Sequence, residues 1–299
     1  MTAADVDLGD LTAALAAWYL REARPLPWRD AAADGWAILV SEFMLQQTQV
    51  ERVIPRYLEW MDRWPQPSSL AAAAPGDAVR AWHRLGYPRR ALWLHRAATV
   101  IATEHDDRVP RDVPTLLSLP GVGPYTARAV ASFAFGARHP VVDTNTRRVL
   151  ARALFGLAAA GPPRPRDLAD MEALLPSEPA AAQLVNAAAM ELGAVICTAR
   201  SPRCDACPIA GWCKWRGAGY PANAPAKRGT PAAFEGSDRQ ARGRILAMLR
   251  AATGPIPRKR VLASLAALGP ADLAQPERAL ASLLRDGLVL AESDRLRLP

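Results

Sequence analysis

Apolar residues recur at helical spacing along most of the chain. The first two such stretches are formed by Leu11, Leu15, Trp18 and Tyr19, and by Trp36, Leu39, Val40, Phe43 and Met44. Spacings of three and four residues predict amphipathic helices, and no run alternates convincingly before the C-terminus. Proline and glycine mark short connections such as "RPLPW", "APGD" and "LPGVGP". The pattern therefore predicts an all-α body.

A segment rich in Ala, Pro and Gly, residues 216–236, separates this body from a C-terminal tail. We expect a linker there, between a body of residues 1–215 and a small domain at 237–299. In the tail, "DRQARGRILAMLRAA", "RKRVLASLAAL" and "QPERALASLLRDG" predict three short helices. The final "LVLAESDRLRLP" predicts a hairpin turning near Ser293 and Asp294. Three helices followed by a hairpin are typical of a winged helix.

The charge balance favours a polyanionic partner. The chain has 299 residues, with 37 Lys and Arg against 29 Asp and Glu, for a net charge of +8. Residues 238–299 carry 11 Lys and Arg against 6 Asp and Glu, a net +5 that favours contact with duplex DNA, with a protein-docking module as the alternative. No secretory signal or apolar span is recognisable, so we expect the protein in the cytoplasm, associated with the nucleoid in a bacterium. We also expect a monomer.

All four cysteines lie in "CTARSPRCDACPIAGWC", residues 197–213. Cys197, Cys204, Cys207 and Cys213 follow the spacing C-x6-C-x2-C-x5-C. Structural disulfides are rare in a reducing cytoplasm, and a structural zinc site usually draws on two tight cysteine pairs, whereas only one is present here. The uneven spacing favours one [4Fe-4S] cluster, with zinc and free buried cysteines as alternatives.

Three further motifs precede the cysteine loop. "VSEFMLQQTQV" (40–50), "LPGVGPYTARAV" (119–130) and "VVDTNTRRV" (141–149) resemble, in the expected order, motifs of the endonuclease III superfamily of helix-hairpin-helix DNA glycosylases. Residues 40–50 resemble the adenine DNA glycosylases of the MutY type in particular. The resemblance covers about residues 10–215. It implies a helical barrel at about 25–137, and a cluster lobe built from the N-terminal helix and residues 138–215. It also implies double-stranded DNA with a mismatched or oxidised base pair as partner.

Two carboxylates match the chemistry of base removal. Breaking the glycosidic bond requires an acid for the departing base and a carboxylate beside the oxocarbenium-like sugar. Glu42, on an apolar helix, is the predicted acid, because a carboxyl group in apolar surroundings retains its proton more readily. The alternative is a partly exposed glutamate beside Arg52. Asp143 is the predicted carboxylate, although it can also act simply as a helix N-cap.

Two neighbouring positions define the reaction further. Tyr125 stands where bifunctional relatives have the lysine that attacks the sugar, so the resemblance implies a glycosylase without efficient lyase activity. Asn145 matches a family position that hydrogen-bonds near the reaction centre, although an asparagine here can also belong to a turn.

The resemblance also implies a set of DNA contacts. Trp28 and Arg29 form a wall of the adenine pocket, Tyr87 intercalates, and the hairpin grips a phosphate through backbone N–H groups. The expected base- and DNA-binding residues are Trp28, Arg29, Leu45, Gln46, Gln47, Thr48, Tyr87, Gly121, Val122, Gly123, Arg200 and Arg203. Ordinary packing is the alternative for Trp28 and Tyr87.

The sequence departs from the family at several positions. Arg84 and Pro88 replace residues of the family's "GLGYY", and Ala187 stands where many relatives have an adenine-contacting Gln or Glu. The tail is too short for the Nudix-like domain that reads 8-oxoguanine, and no histidine follows His139. Lesion reading is therefore expected to rest on the body. Two alternatives remain: a glycosylase for thymine or uracil opposite guanine, and a non-enzymatic iron–sulfur regulator that binds DNA.

Overall fold

Helices form most of the protein. The computed structural model describes residues 8–222, 234–266 and 272–299. The helices before residue 222 are α1 (Leu8–Glu22), α2 (Gly35–Leu45), α3 (Val50–Arg63), α4 (Pro67–Ala71), α5 (Pro75–Ala81), α6 (Arg89–Glu104), α7 (Val113–Ser118), α8 (Pro124–Phe135), α9 (Thr144–Phe155), α10 (Arg166–Leu174), α11 (Pro179–Val195) and α12 (Lys214–Gly217). Two short 3-10 turns lie at Pro27–Arg29 and Cys204–Ala206. The body contains no strand among its described residues, which confirms the all-α prediction.

The C-terminal region combines helices with a small sheet. Its elements are α13 (Asp238–Ala251), β1 (Ile256–Pro257), α14 (Arg258–Ala266), α15 (Gln275–Arg285), β2 (Leu290–Glu292) and β3 (Arg295–Arg297). Residues 223–233, which fall in the predicted linker, lie outside the described residues, as do residues 267–271 at the end of the second predicted tail helix. Among the described helices, none has the length and apolar character that a membrane crossing requires.

Residue contacts divide the chain into two compact units. The first comprises residues 1–39, 111–118 and 122–228, and the second comprises residues 40–110, 119–121 and 229–299. Helix α2 begins in the first unit and ends in the second.

The core of the first unit forms where α1, α9 and α11 pack together. Leu11 and Leu15 of α1 are at most 1% exposed, and they meet Val149 of α9 and Leu192 of α11 in one apolar cluster. The spacing read from the sequence thus identifies the buried stripe of α1. The alanine-rich α11 allows close packing because its side chains are small.

Tryptophans dominate the core of the second unit. Trp60 of α3 is 1% exposed and packs edge-to-face against Trp64 and Trp82, with ring centroids 4.6 Å and 5.7 Å away. Such aromatic pairs contribute about 0.5–1.5 kcal/mol each beyond the area they bury. They join α3 to the end of α5, which precedes the loop of residues 83–88.

The tail has the arrangement of a winged helix. Strands β2 and β3 pair in antiparallel register, with Ala291 opposite Leu296, and the turn falls at residues 293–294. The predicted hairpin is therefore confirmed. Strand β1 adds a third strand, with Ile256 opposite Leu296, to give the sheet order β1-β3-β2. A strand of two residues is too short to produce a periodic signal, so β1 was not predicted from the sequence.

The tail packs against α5 and the start of α6 within the second unit. Arg250 of α13 donates from Nε to the backbone oxygen of Val79 at 3.1 Å, and burial lowers the pKa of Arg250 to about 10. A methyl group placed on Gly76 would come within 2.4 Å of the Pro299 backbone oxygen, so only glycine fits at this contact. Arg89 pairs with Asp286 at 3.3 Å. These contacts fix the tail to the body of its unit.

Candidate active site and cluster loop

The four cysteines surround one small cavity. Cys197 follows the end of α11, Cys204 begins a 3-10 turn that Cys207 ends as its C-cap, and Cys213 is the N-cap of α12. All four are free thiols, and they line the cavity together with Arg152, Arg203 and Trp215, among others. The structure therefore brings together the four residues that the spacing had grouped.

The donor set is that of an iron–sulfur cluster, because four cysteines line one cavity. Four sulfurs spread around a cavity match the larger span of an iron–sulfur cube. Burial raises the pKa of the Cys207 thiol to about 11 in the protein without a bound cluster. Arg152 adds a positive charge to the loop, since its Nη1 donates to Cys197 Sγ at 3.3 Å.

Glu42 is buried near the end of α2. Its side chain is 7% exposed, and its neighbours Phe43 and Met44 are fully buried. The low exposure of Glu42 does not match the alternative of a partly exposed glutamate. Arg52 donates to the backbone oxygen of Arg84. The structure thus buries the predicted acid near the C-terminal end of α2.

Asp143 is the N-cap of α9 in the first unit. Oδ1 accepts from the backbone N–H of Thr146 at 2.6 Å, and Oδ2 accepts from Asn145 Nδ2 at 2.9 Å. Both donors lie in the first turn of α9, so the Asp143 side chain caps the helix. Glu42 lies in the second unit.

Arg148 links the α9 N-terminus to the cysteine loop within the first unit. It donates from Nη2 to Asn145 Oδ1 at 2.8 Å and from Nε to the Cys197 backbone oxygen at 2.7 Å. Burial lowers the pKa of Arg148. A methyl group on Gly193 would lie 2.7 Å from Asn145 Cβ, so only glycine allows this close approach. Arg148 lies within the motif at residues 141–149, but no sequence pattern predicts its role.

The helix-hairpin-helix segment runs from α7 through residues 119–123 to α8. Gly121 has φ 81°, and a methyl group there would lie 2.6 Å from Trp93 Cβ, so the turn requires glycine. Gly123 has an extended backbone with φ −99° and caps α8, and the space beside its Cα is open. The tight turn therefore depends on Gly121 alone. Val122 is buried, and Tyr125 is half-buried in the first turn of α8.

Trp28 and Arg29 lie on the 3-10 turn after α1. Trp28 is 7% exposed, and Arg29 donates to Glu191 Oε2 at 2.8 Å. Glu191 is 1% exposed and also binds Arg24 through both oxygens, at 2.6 and 2.9 Å. These hydrogen bonds and both positive charges hold the pKa of Glu191 at about 2, against the effect of burial. No sequence pattern marks Glu191, because its partners are more than 160 residues away.

The segment after α2 and the loop before α6 carry the remaining predicted contacts of the second unit. Leu45, Gln46 and Thr48 are half-buried, Gln47 is exposed, and Tyr87 is 62% exposed. Thr48 Oγ1 donates to the Leu85 backbone oxygen at 3.0 Å, which ties the two segments together. The arrangement leaves Gln47 and Tyr87 accessible to a ligand.

The remaining predicted residues are two arginines of the cysteine loop and the positions that depart from the family. Arg200 and Arg203 are exposed in the cysteine loop, and Arg203 donates to the Val195 backbone oxygen at 2.9 Å. Pro88 is the N-cap of α6, a position where its missing N–H costs nothing. Ala187 is half-buried on α11 and brings no polar group.

Comparisons with known proteins identify the class that these features define. Residues 40–165 match the family described as HhH-GPD superfamily base excision DNA repair protein, and residues 197–213 match the iron–sulfur binding domain of endonuclease III. A thermostable thymine-DNA glycosylase structure matches with TM-score 0.64 at 26% identity, covering 72% of this chain and 100% of that one. A trapped endonuclease III–DNA complex matches with TM-score 0.60 at 20% identity, covering 72% and 99%. The protein has the fold of a helix-hairpin-helix DNA glycosylase with an iron–sulfur loop.

Sequence relatives narrow the assignment. An adenine DNA glycosylase of Mycobacterium tuberculosis is 54% identical over 288 residues, covering 95% of this chain and 92% of the relative. One of Mycolicibacterium smegmatis is 54% identical over 280 residues, covering 94% and 92%. The human adenine DNA glycosylase is 40% identical over 238 residues, covering 70% of this chain and 40% of the relative. The chain belongs to the adenine DNA glycosylase family, and the cysteine loop is its [4Fe-4S] site.

Proposed function

We propose that the protein hydrolyses the N-glycosidic bond of adenine opposite 8-oxoguanine or guanine in duplex DNA. The observation that carries the reaction type is the burial of Glu42 at 7% exposure on an otherwise apolar helix. The names of the sequence relatives support adenine as the base. We place the activity in a monomer in the cytoplasm, at the nucleoid in a bacterium.

Glu42 is the proposed general acid. It protonates the departing adenine, which makes a neutral leaving group of a base that would otherwise leave as an anion. General acid catalysis of this kind typically contributes about 100-fold to 10,000-fold in rate. Burial of Glu42 supports this role because a carboxyl group shielded from water retains its proton more readily.

Asp143 is the proposed stabiliser of the sugar cation. Its hydrogen bonds with Thr146 and Asn145 fix the orientation of the side chain, and a carboxylate is the group that stabilises a nearby oxocarbenium ion. In this role Asn145 orients Asp143. Asn145 is itself oriented by Arg148.

Tyr125 supports hydrolysis without strand cleavage. A phenol cannot form a Schiff base with the sugar, so water completes the reaction and leaves an abasic site. The cluster supplies electrostatic and structural support when bound and takes no part in these steps. The four cysteines would hold the cluster, and Arg152 of α9 would support Cys197 by donating to its Sγ.

The proposed DNA contacts follow the family motifs, and Gln47, Tyr87 and the two loop arginines among them are exposed. The backbone at Gly121, Val122 and Gly123 grips a phosphate, and Arg200 and Arg203 meet phosphates beside the cluster. Trp28 and Arg29 line the pocket for the flipped adenine. Leu45, Gln46, Gln47, Thr48 and Tyr87 form the wedge and read the base opposite adenine. Residues 1–215 act as the catalytic region, 216–236 as a linker, and 237–299 as a module that adds duplex affinity.

Excision from three matched duplexes tests the proposed substrate. Single-turnover reactions on A opposite 8-oxoguanine, A opposite guanine and T opposite guanine, each followed by alkali, reveal abasic sites. We expect cleavage of both adenine strands and not of the thymine strand. The thymine duplex is included because the thymine-DNA glycosylase structure is similar to this chain. Excision of thymine faster than adenine would overturn the proposal in favour of a thymine mismatch enzyme.

A further inference from the structure

Two residues proposed to read the base opposite adenine have a left-handed backbone. Gln47 has φ 55° and Tyr87 has φ 44°, a region that residues with a side chain adopt only when their surroundings enforce it. Gln47 is exposed, and Tyr87 is 62% exposed. Burial of these side chains in the core therefore does not fix their conformation.

One buried arginine holds the peptide in front of each of them. Arg90 of α6 is 3% exposed, and its Nη1 donates to the Gln46 backbone oxygen at 2.6 Å. Its Nη2 donates to the Gly86 backbone oxygen at 3.2 Å. The Gln46 and Gly86 carbonyls belong to the peptide bonds that directly precede Gln47 and Tyr87. A single guanidinium thus fixes both left-handed peptides at once.

The geometry needs the planar fork of an arginine. The Arg90 guanidinium lies over the Tyr87 ring, 5.3 Å from its centroid, and over the Trp82 ring at 5.4 Å. Nη1 also donates to the Phe43 backbone oxygen at 2.7 Å, in the last turn of the helix that carries Glu42. A lysine ammonium is a compact charge that cannot reproduce bonds in these separate directions.

We propose that Arg90 is a positioning residue that presets Gln47 and Tyr87 for the base opposite adenine, so that the preference for 8-oxoguanine over guanine depends on it. This inference rests on the proposed function. A purely structural role, as a cap for the carbonyls at the end of α2 that lack a partner within the helix, predicts a different result. It predicts loss of thermal stability and equal loss of excision from both duplexes.

The test compares Arg90→Lys with the control Arg96→Lys, which alters an exposed arginine on the same helix. Single-turnover excision and DNA affinity are measured for A opposite 8-oxoguanine and A opposite guanine, together with the Tm. We expect Arg90→Lys to lower the ratio of the two rates about tenfold, the size of one lost hydrogen bond to a charged group. The control is expected to match the wild type in ratio and Tm.

If folded Arg90→Lys keeps the wild-type ratio of the two excision rates, even with both rates lower, the inference is overturned and the proposed function stays intact. A wild type that removes adenine from neither duplex would overturn both. If Arg90→Lys fails to fold, hydrogen exchange measured on the wild type without DNA tests whether the segments at Gln47 and Tyr87 are preset. Preset segments predict slow exchange at the amides of Thr48 and Arg90, which bond to Leu45 and Tyr87. Fast exchange there would contradict presetting.

Discussion

Glu191→Gln is expected to remove a large, pH-dependent part of the stability of the first unit. Glu191 is 1% exposed and is shared by Arg24 and Arg29, whose side chains are 32% and 25% exposed. Its pKa falls from 4.5 to about 2 on folding. At about 1.4 kcal/mol per unit, this shift corresponds to about 3 kcal/mol at pH 7. The neutral amide keeps the shape but leaves two partly buried arginines without their counter-charge.

The sign follows from the lowered pKa. Stability from a carboxylate with a depressed folded pKa is fully present above the unfolded value near 4.5 and is lost as the pH falls towards 2. Glutamine does not titrate, so the difference between wild type and variant is expected to shrink by about 1 kcal/mol between pH 7 and pH 4. Urea unfolding of both chains at the two pH values measures this difference.

Glu172→Gln provides the matched control. Glu172 pairs with Arg138 in the same unit, but its side chain is 44% exposed, so its loss is expected to cost about 1 kcal/mol or less. A difference between wild type and Glu191→Gln that stays constant from pH 7 to pH 4, or a loss no larger than that of Glu172→Gln, would refute the reasoning.

Three further predictions concern the cluster, the chemistry and the tail. Purified protein is expected to be yellow-brown with about four irons per chain, and colourless protein with one bound zinc would contradict the cluster assignment. Borohydride trapping on the substrate is expected to give little covalent adduct, because Tyr125 replaces the Schiff-base lysine, and strong trapping would indicate that another amine has taken that role. Substituting the exposed Lys259 and Arg260 with alanine is expected to weaken binding of both adenine duplexes by similar factors. The slope of log affinity against log salt concentration is expected to fall by about two. Loss of discrimination between the duplexes would instead show that the tail reads the lesion.

Local features of the fold could be predicted from the sequence. The stripe of Leu11, Leu15 and Trp18 and the turn at Ser293 produce signals within a few residues, and the structure has the predicted elements there. The cysteines were grouped because all four lie within 17 residues. The family motifs also located Glu42 and Asp143 on their helices, since each stands inside a contiguous run.

The supporting residues could not be predicted in the same way. Arg90 bonds to carbonyls 44 and 47 residues away, and Glu191 bonds to arginines 162 and 167 residues away. No periodicity connects such positions, and backbone carbonyls have no sequence identity that could mark them as partners. The necessity of Gly193 likewise follows only from the approach of Asn145 in the folded chain. The supporting roles of Arg90, Glu191 and Gly193 are therefore visible only in the structure.

The central claim is that Glu42 donates the proton that releases adenine. The most direct measurement is single-turnover excision from A opposite 8-oxoguanine by wild type and Glu42→Gln, with affinity for the same duplex measured in parallel. We expect the excision rate of Glu42→Gln to be lower by about 100-fold or more and its affinity for the duplex to be nearly unchanged, because the amide removes the proton donor but no phosphate contact. A near-normal excision rate for Glu42→Gln would contradict the assignment of the acid.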